Sequence, residues 1–306
     1  MIKLHCTARG EFKVDVKRGG EIVTLAPWQD NLITNAGMDS LGLSGSQQGW
    51  YGLAVGTGNT PPQFTDTRLA GFLASVGISW TGSRVGNVVT FTAVATFGLG
   101  AVVGNVAELG ALLNTPSSNS TTATRALIRD GAGQPTTIPV QASDQLIVTY
   151  RLVFVVDQSI SSQTITDPNT SVEYTIRAKY GPLSTSSSNY GFFGSVFGTL
   201  SSSGSAVLVG GTFNGPGEAP SGGAVVYTQS NQQVPLSTPY VPGSFTTVAG
   251  VRFGTNATAL DRDNVNIVRV PVYAPSDYLD VEFTPPFRKS TTSTATLQWS
   301  VSWARG

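Results

Sequence analysis

Apolar and polar residues alternate over several stretches of the chain, which is the pattern of β-strands that bury one face. Near the start, residues 12–17 alternate Phe or Val with Lys or Asp, the sequence RGG follows as a turn, and residues 22–25 are largely apolar again. This order predicts an opening hairpin. At the other end, residues 294–303 place a Leu, a Val and two Trp on one side. They predict a strand that pairs with the interior of the first part of the fold.

Further strands are predicted in the middle and towards the end of the chain. Residues 88–97 alternate, and residues 146–156 are apolar on both faces, which is typical of a central strand. A hairpin is predicted between residues 126 and 140, around the turn sequence DGAGQP. Residues 265–272 and 278–283 are two more predicted strands.

One short helix is predicted after the opening hairpin. Thr34 and Asn35 are both good N-cap residues, and Met38 and Leu41 then fall on one helical face before Gly42, which can act as a C-cap. The result is a helix of about two turns, which is too short to be stable alone. We therefore expect it to cap a β-structure.

The residues after this helix predict a strand, a turn and a second helix. Residues 50–56 alternate as a short strand, and the sequence GTGNTPP then favours a turn, because proline cannot donate to a strand ladder. Residues 105–114 (NVAELGALLN) are the second helix candidate, since their apolar residues are spaced for one helical face. Gly110 weakens that interpretation.

Together these elements predict an all-β fold, with a β-sandwich or jelly-roll-like core, a short N-terminal helix and an inserted lobe rich in Gly and Ser. We expect residues 1–180 to form the sandwich core and residues 251–306 to supply the C-terminal strands that complete it. Residues 181–250 are expected to form the inserted lobe or extended loops, because short apolar bursts there alternate with Ser- and Gly-rich runs.

The composition limits the classes of function. Only 12% of the 306 residues are charged, with 18 basic and 18 acidic side chains, so the chain lacks the clustered Lys and Arg that nucleic-acid binding requires. A single cysteine excludes an intrachain disulfide. No apolar run predicts a secretion signal or a membrane span.

The residues that could carry chemistry do not form a catalytic or metal-binding pattern. His5 and Cys6 are the only histidine and cysteine, and neighbours on a strand point to opposite faces, so they are not expected to form a dyad or a zinc site. Residues 260–266 contain several oxygen ligands but lack the spacing of a calcium loop. No carboxylate pair can be nominated for glycan hydrolysis. We therefore expect no enzyme activity, no cofactor and no metal.

Three blocks of the sequence resemble structural proteins of tailed bacteriophages, often described as tail-fibre or tail-associated proteins. The first block is residues 30–39 (DNLITNAGMD), with VGTGNT at 55–60 and TDT at 65–67. The second is IRDGAGQPT at 128–136, which leads into DQLIVTYRL at 144–152. The third is FTPPFRK at 283–289, with WAR at 303–305.

The resemblance implies a non-enzymatic virion protein that is assembled in the host cytoplasm. Its implied location is the tail, as part of a fibre, a collar or a baseplate attachment. The implied partners are other virion proteins and further copies of the chain, with a trimer favoured, and a host surface receptor or glycan. Two alternatives stay open, which are a receptor- or glycan-binding tail tip and a capsid decoration or head-fibre protein. A glycan depolymerase would need convergent carboxylates.

Aromatic residues near loops and in the low-charge segment are the candidate contacts with a receptor or a neighbouring subunit. Tyr in particular offers a flat apolar face with a polar tip. The candidates are Tyr180, Tyr190, Phe192, Phe193, Tyr227 and Tyr240.

Overall fold

The computed structural model describes residues 1–42, 50–167, 170–180, 206–216, 218–227, 233–261, 264–271, 278–287, 289–290 and 292–306. The strands are β1 Ile2–Arg18, β2 Glu21–Ile33, β3 Gly52–Gly56, β4 Phe72–Gly77, β5 Trp80–Val85, β6 Val88–Thr96, β7 Gly104–Val106, β8 Glu108–Leu112, β9 Thr124–Leu127, β10 Ile138–Val140, β11 Gln145–Val156, β12 Ser161–Thr166, β13 Glu173–Tyr180, β14 Ala206–Val209, β15 Ala224–Tyr227, β16 Gln233–Ser237, β17 Thr246–Phe253, β18 Val265–Pro271, β19 Tyr278–Phe287 and β20 Ala295–Arg305. Helix α1 spans Asn35–Ser40, and a 3₁₀ turn spans Thr258–Leu260.

The long strand β1 organises the larger sheet. Its first half pairs with β20 in parallel, its second half pairs with β2, and β11 runs along its other edge, where Phe12 lies opposite Tyr150. Among the described residues, twelve strands join this sheet in the order β16-β17-β20-β1-β2-β9-β8-β3-β4, with β11, β6 and β5 branching from β1. The first and last strands of the sequence therefore lie side by side.

The two branches of the larger sheet meet at a corner between β4 and β5. Only Ile78 and Ser79 separate these strands, and the backbone N–H of Ile78 donates to the carbonyl of Tyr51. The indole N–H of Trp80 donates to the Trp50 carbonyl at 2.8 Å. Trp50 is only 1% exposed, and it forms edge-on aromatic contacts with Trp80 and Tyr150. The strands of both branches thus enclose one apolar core.

A second, six-stranded sheet packs against the first. Its order is β12-β13-β19-β18-β14-β15, all antiparallel. One continuous cluster of buried apolar side chains includes Leu4 and Cys6 of β1 together with Ile176 and Tyr180 of β13. The prediction of an all-β fold is confirmed, and two packed sheets are consistent with the expected sandwich.

Most of the strands predicted from alternation are confirmed. The opening hairpin is β1 and β2, joined by Gly19 and Gly20, which both have positive φ. The predicted central strand is β11, which has partners on both edges. In the final strand, β20, all four residues of the predicted apolar face are at most 8% exposed. The predicted helix is α1, although its C-cap is Leu41 and not Gly42.

Two local predictions are wrong. Residues 105–114 do not form a helix, because Gly104–Val106 and Glu108–Leu112 are the strands β7 and β8. Every residue of β8 is buried, so both faces of the strand are covered and the run has no alternation to reveal a strand. The second error concerns only the outer part of the hairpin predicted between 126 and 140. Next to the turn the hairpin is confirmed, since Arg129 bridges Pro135 and the Thr136 N–H donates to the Ile128 carbonyl at 2.9 Å, but β10 pairs with β7 and not with β9.

The predicted inserted lobe is not separate from the sheets where the structure describes it. Strands β14 and β15 belong to the six-stranded sheet, and β16 and β17 extend the larger sheet beside β20. The expected boundary between residues 250 and 251 falls inside β17. Residues 181–205 lie outside the described residues.

Candidate interaction surface around the short helix

Helix α1 is fixed by its first residues. The Thr34 hydroxyl accepts the N–H of Gly37 at 3.0 Å and donates to the carbonyl of Thr122 at 2.8 Å. The backbone N–H of Thr34 donates to the Ala123 carbonyl at 2.9 Å. A Cβ on Gly37 would overlap that same carbonyl, so this position requires glycine. The N-cap therefore ties the helix directly to the segment that enters β9.

The C-terminal strand holds both ends of this helix. The indole N–H of Trp303 donates to the carbonyl of Met38 at 2.9 Å. The Arg305 guanidinium donates to the carbonyl of Ile33 at 2.8 Å and to the side-chain oxygen of Asn35 at 2.7 Å. Residues of the first and third sequence blocks are thus in direct contact.

The motifs GTGNT and TDT form a loop that is held from inside by a buried ion pair. Glu108 is fully buried, and its carboxylate accepts the N–H groups of Gly58 (3.1 Å), Ala70 (3.2 Å) and Gly71 (2.6 Å). Arg125 donates to the same carboxylate at 2.7 Å. It also donates to the Asp66 carboxylate at 2.7 Å and to the Thr60 carbonyl at 2.9 Å. These motif residues therefore maintain the shape of the loop.

The second sequence block contacts strand β2, which leads into α1. The Gln29 side chain donates to the Arg129 carbonyl at 2.6 Å and accepts the Arg129 N–H at 3.0 Å. Within the turn DGAGQP, the Asp130 carboxylate accepts the N–H groups of Ala132 and Gln134, both at 2.9 Å. The turn is thus closed by its own aspartate and attached to β2.

Next to α1, an arginine and several aromatic side chains reach the surface. The Arg305 guanidinium carbon lies 4.1 Å from the ring centre of Phe64 and 5.4 Å from that of Phe245. Phe64 is 49% exposed, and the nearby Val241 is 65% exposed. We call the group Phe64, Tyr240, Val241, Phe245 and Arg305 the aromatic–arginine surface. Aromatic residues and Arg are the types that are enriched in protein–protein interfaces.

Tyr240 anchors this surface to the helix. Its ring stacks on Trp303 with 5.6 Å between the ring centres, and its hydroxyl donates to the Asp39 carboxylate at 2.6 Å. The Gly243 N–H donates to the same carboxylate at 2.7 Å. Burial and the neighbouring Asp39 raise the pKa of the Tyr240 phenol well above its usual value, so the hydroxyl stays protonated as a donor. Phe245 has a φ of +45°, which is uncommon for a residue with a side chain.

The structure separates the six aromatic contact residues that the sequence suggested. Tyr240 belongs to the aromatic–arginine surface. Tyr180 is only 3% exposed at the end of β13, and burial raises its pKa, so it is a core residue and not a surface contact. Tyr227 ends β15, but its side chain lies outside the described part of the structure, as do Tyr190, Phe192 and Phe193 altogether.

Sequence reasoning missed the other members of the aromatic–arginine surface. Phe64 follows the predicted turn, and a single aromatic residue between polar neighbours does not show which segment it will contact. Arg305 was noted as part of a sequence block, but its position over Phe64 depends on β20 lying beside β1. Only the pairing of the first and last strands brings these residues together.

The residues considered for catalysis are far from a catalytic arrangement. His5 is exposed and its Nδ1 lies 3.0 Å from the Ser302 hydroxyl, whereas Cys6 is fully buried and burial raises its pKa. The prediction that these neighbours point to opposite faces is confirmed. Within the described ranges, no three His, Cys, Asp or Glu side chains are grouped closely enough to hold a metal ion.

Comparisons of the chain with models of protein families, with curated proteins and with solved structures found no match. None of the helices in the described part of the chain combines the length and the apolar character of a membrane-spanning helix.

Proposed function

We propose that this protein is a non-enzymatic structural protein of a tailed-bacteriophage virion. In this proposal it is attached to the tail, as part of a fibre, a collar or a baseplate, and acts by assembling with other virion proteins and with further copies of itself. It would be made and assembled in the host cytoplasm. A trimer is the oligomer that we favour.

The observation that supports the proposal most is that parts of the three sequence blocks meet at α1 and at the strand that leads into it. Residues of the third block donate to both ends of the helix, and the second block is bonded to the strand that leads into it. Residues 303–305 and the turn that begins at Arg129 are therefore joined to the stretch around α1, whereas residues 283–287 of the third block lie in β19 of the six-stranded sheet. Their polar groups serve internal bonds, as expected if the blocks maintain a shape that other proteins recognise.

Ion pairs among the described residues support a structural role as well. Arg125 pairs with Glu108 and Asp66, and Arg18 pairs with Asp144. Each of these groups joins segments that are distant in sequence. The Arg125–Glu108 pair is buried, and removing one partner of a buried pair is strongly destabilising, whereas the Arg18 side chain is 42% exposed.

The aromatic–arginine surface is the region that we propose for contact between subunits. It combines exposed apolar side chains, a guanidinium that is held by two rings, and a rigid attachment to α1. Truncation of a large side chain at the centre of such a contact removes much of the binding energy.

The first experiment measures the mass of the purified protein in solution by light scattering. We expect the wild-type chain to form an oligomer and Phe64→Ser to shift it towards the monomer. Val85→Ser is the matched control, because Val85 is 82% exposed on the edge strand β5, away from this surface, and should leave the mass unchanged. A wild-type monomer at all concentrations, or equal effects of both variants, would contradict the role of this surface.

The second experiment asks whether the protein is part of the particle. Phage that lack the gene are supplied with the wild-type protein, Phe64→Ser or Val85→Ser, and the purified particles are analysed by mass spectrometry. We expect the wild type and Val85→Ser in the particles and at least a tenfold lower content of Phe64→Ser. The absence of the wild-type protein from purified particles would overturn the proposed function.

A further inference from the structure

A cavity of about 740 Å³ opens between the two sheets, on the side of the molecule where β12, β13 and β19 face β17 and β20. This volume lies within the roughly 300–1,000 Å³ that is usual for small-molecule sites. The third sequence block supplies Phe283, Phe287 and Lys289 to this cavity, but the cavity shares no residue with the aromatic–arginine surface. Its lining is divided into an apolar interior and a polar rim.

The interior of the cavity is apolar and aromatic. Ile176, Phe253 and Val268 are buried side chains that face it from both sheets. Phe283 and Phe287 form a half-buried aromatic wall, with their rings stacked at 5.4 Å between centres. A ligand that enters the cavity would therefore meet apolar surface, and burying its own apolar part there would be favourable at roughly 25 cal/mol per Å².

The rim of the cavity is polar and carries hydroxyl groups. Thr166, Thr170, Ser290, Ser293, Thr294 and Thr296 line it, and all six are exposed. Hydroxyl groups both donate and accept hydrogen bonds, so they can bind a neutral polar head in many orientations. The rim therefore suits a hydroxyl-bearing group better than a purely apolar end.

Within the described part of the lining, the two charged groups are Lys289 and Asp167, and both already form hydrogen bonds. The Lys289 ammonium donates to the carbonyls of Thr255 (3.3 Å), Ser290 (2.8 Å) and Ser293 (3.1 Å), and an ammonium has only three donors. The Asp167 carboxylate accepts the hydroxyl of Thr170 at 2.8 Å. Among the lining residues that the structure describes, an anionic ligand would find no unused ammonium donor, so a charged head would lose its water without a replacement partner there.

We propose that this cavity binds an uncharged amphipathic molecule, with its apolar body between the sheets and its hydroxyl-bearing head at the rim. The apolar interior contributes affinity by burying the apolar body of the ligand, and the polar rim selects a neutral head. This site is independent of the aromatic–arginine surface, so its test does not depend on assembly into a particle.

The test uses three probes below their micelle concentrations, each titrated calorimetrically into the full chain. Octyl glucoside has an apolar chain and a neutral hydroxyl head, glucose has the head alone, and octanoate has a similar chain with a charged head. We expect one octyl glucoside per chain, and at least tenfold weaker binding of glucose and of octanoate. No binding of octyl glucoside, or equal binding of octanoate, would overturn the proposal.

Two variants locate the binding in this cavity. Ala295 lines the cavity at the start of β20, so Ala295→Trp should fill it and weaken octyl glucoside binding at least tenfold. Ala132→Trp is the matched control in an exposed turn and should bind as the wild type does. Phe287→Ala, which removes part of the wall, provides a second variant if Ala295→Trp does not fold. Unchanged binding in a folded cavity variant would contradict the assignment.

Discussion

Buried carboxylates of the two sheets have pKa shifts in opposite directions. In the larger sheet, Asp144 accepts two hydrogen bonds from Arg18 and one from the Gln141 N–H, and the Arg18 hydrogen bonds together with that N–H lower its pKa to about 2. In the six-stranded sheet, Asp280 is fully buried and burial raises its pKa to about 6, although Arg269 donates to one of its oxygens at 2.7 Å. The second oxygen of Asp280 is buried without a hydrogen-bond partner.

This difference shows that the hydrogen bonds of a buried carboxylate determine whether its ionised or its neutral form is favoured. A carboxylate whose oxygens are all bonded is stabilised in its ionised form, whereas burial without full hydrogen bonding favours the neutral form. Glu108, also in the larger sheet, accepts hydrogen bonds from three backbone N–H groups and from Arg125. The larger sheet should therefore depend on its ionised carboxylates, and the six-stranded sheet should become less stable when Asp280 ionises.

Removal of the Glu108 carboxylate should have the largest effect on stability. Glu108→Ala leaves three buried N–H groups without an acceptor and leaves the buried Arg125 with Asp66 as its remaining carboxylate partner, so we expect a loss of about 3–5 kcal/mol in the free energy of unfolding. Urea denaturation measures this loss. Glu11→Ala is the control, because its ion pair with Arg9 lies at the surface and should contribute less than about 1 kcal/mol. Similar losses in both variants would refute the comparison.

The next effect is the pH dependence that Asp280 introduces. Its pKa is about 6 in the folded chain and 3.8 in the reference state, so the folded state binds the proton more tightly. The tighter binding of this proton stabilises the folded state fully below about pH 4. This contribution is lost as the pH rises through 6, and it amounts to at most about 3 kcal/mol of the free energy of unfolding. Relative to Asp280→Asn, the wild type should therefore lose stability between pH 4 and pH 7 in urea denaturation.

Asp144→Asn is a control for this dependence of stability on pH, because Asp144 should contribute a dependence of the opposite sign. Because the folded pKa of Asp144 is lowered, its stabilisation is present above about pH 4 and is lost as the pH falls towards 2. The free energy of unfolding of Asp144→Asn should still fall between pH 4 and pH 7, but it should lack the further decrease below pH 4 that Asp144 causes in the wild type. If Asp280→Asn had the same profile as the wild type from pH 4 to pH 7, the account of Asp280 would be wrong.

The smallest of these effects concerns the cap of α1. Thr34→Ala removes the acceptor for the Gly37 N–H and should cost about 1–2 kcal/mol. Thr34→Ser keeps the hydroxyl and should cost much less. Thermal unfolding of the two variants side by side measures the difference, and an equal loss in both would assign the effect to packing of the Thr methyl group.

Much of the fold could be predicted because alternation marks strands with one buried face. Strands β1 and β20 are clear for that reason, and β11 is clear because its run is long and rich in β-branched residues. Strand β8 was mistaken for a helix because both of its faces are buried and its apolar residues have no period of two. The pattern of apolar residues along a strand indicates whether one or both of its faces are buried. It does not indicate which strands pair with each other.

The candidate site could be predicted only in part. The sequence correctly indicated the capped helix and the loop motifs, but it did not indicate that Arg125 and Glu108 hold the loop from inside. Nor could it place Arg305 over Phe64, since that contact depends on the pairing of β1 with β20. Contacts between distant segments arise from sheet topology, which single-sequence patterns do not encode.

The central claim is that the three sequence blocks build a virion protein whose aromatic–arginine surface contacts a neighbouring subunit. An electron cryomicroscopy map of the purified phage particle tests this claim most directly. We expect density for the chain on the tail, with Phe64, Phe245 and Arg305 buried against a neighbouring chain. A particle without this chain, or one in which that surface faces solvent in every copy, would contradict the account.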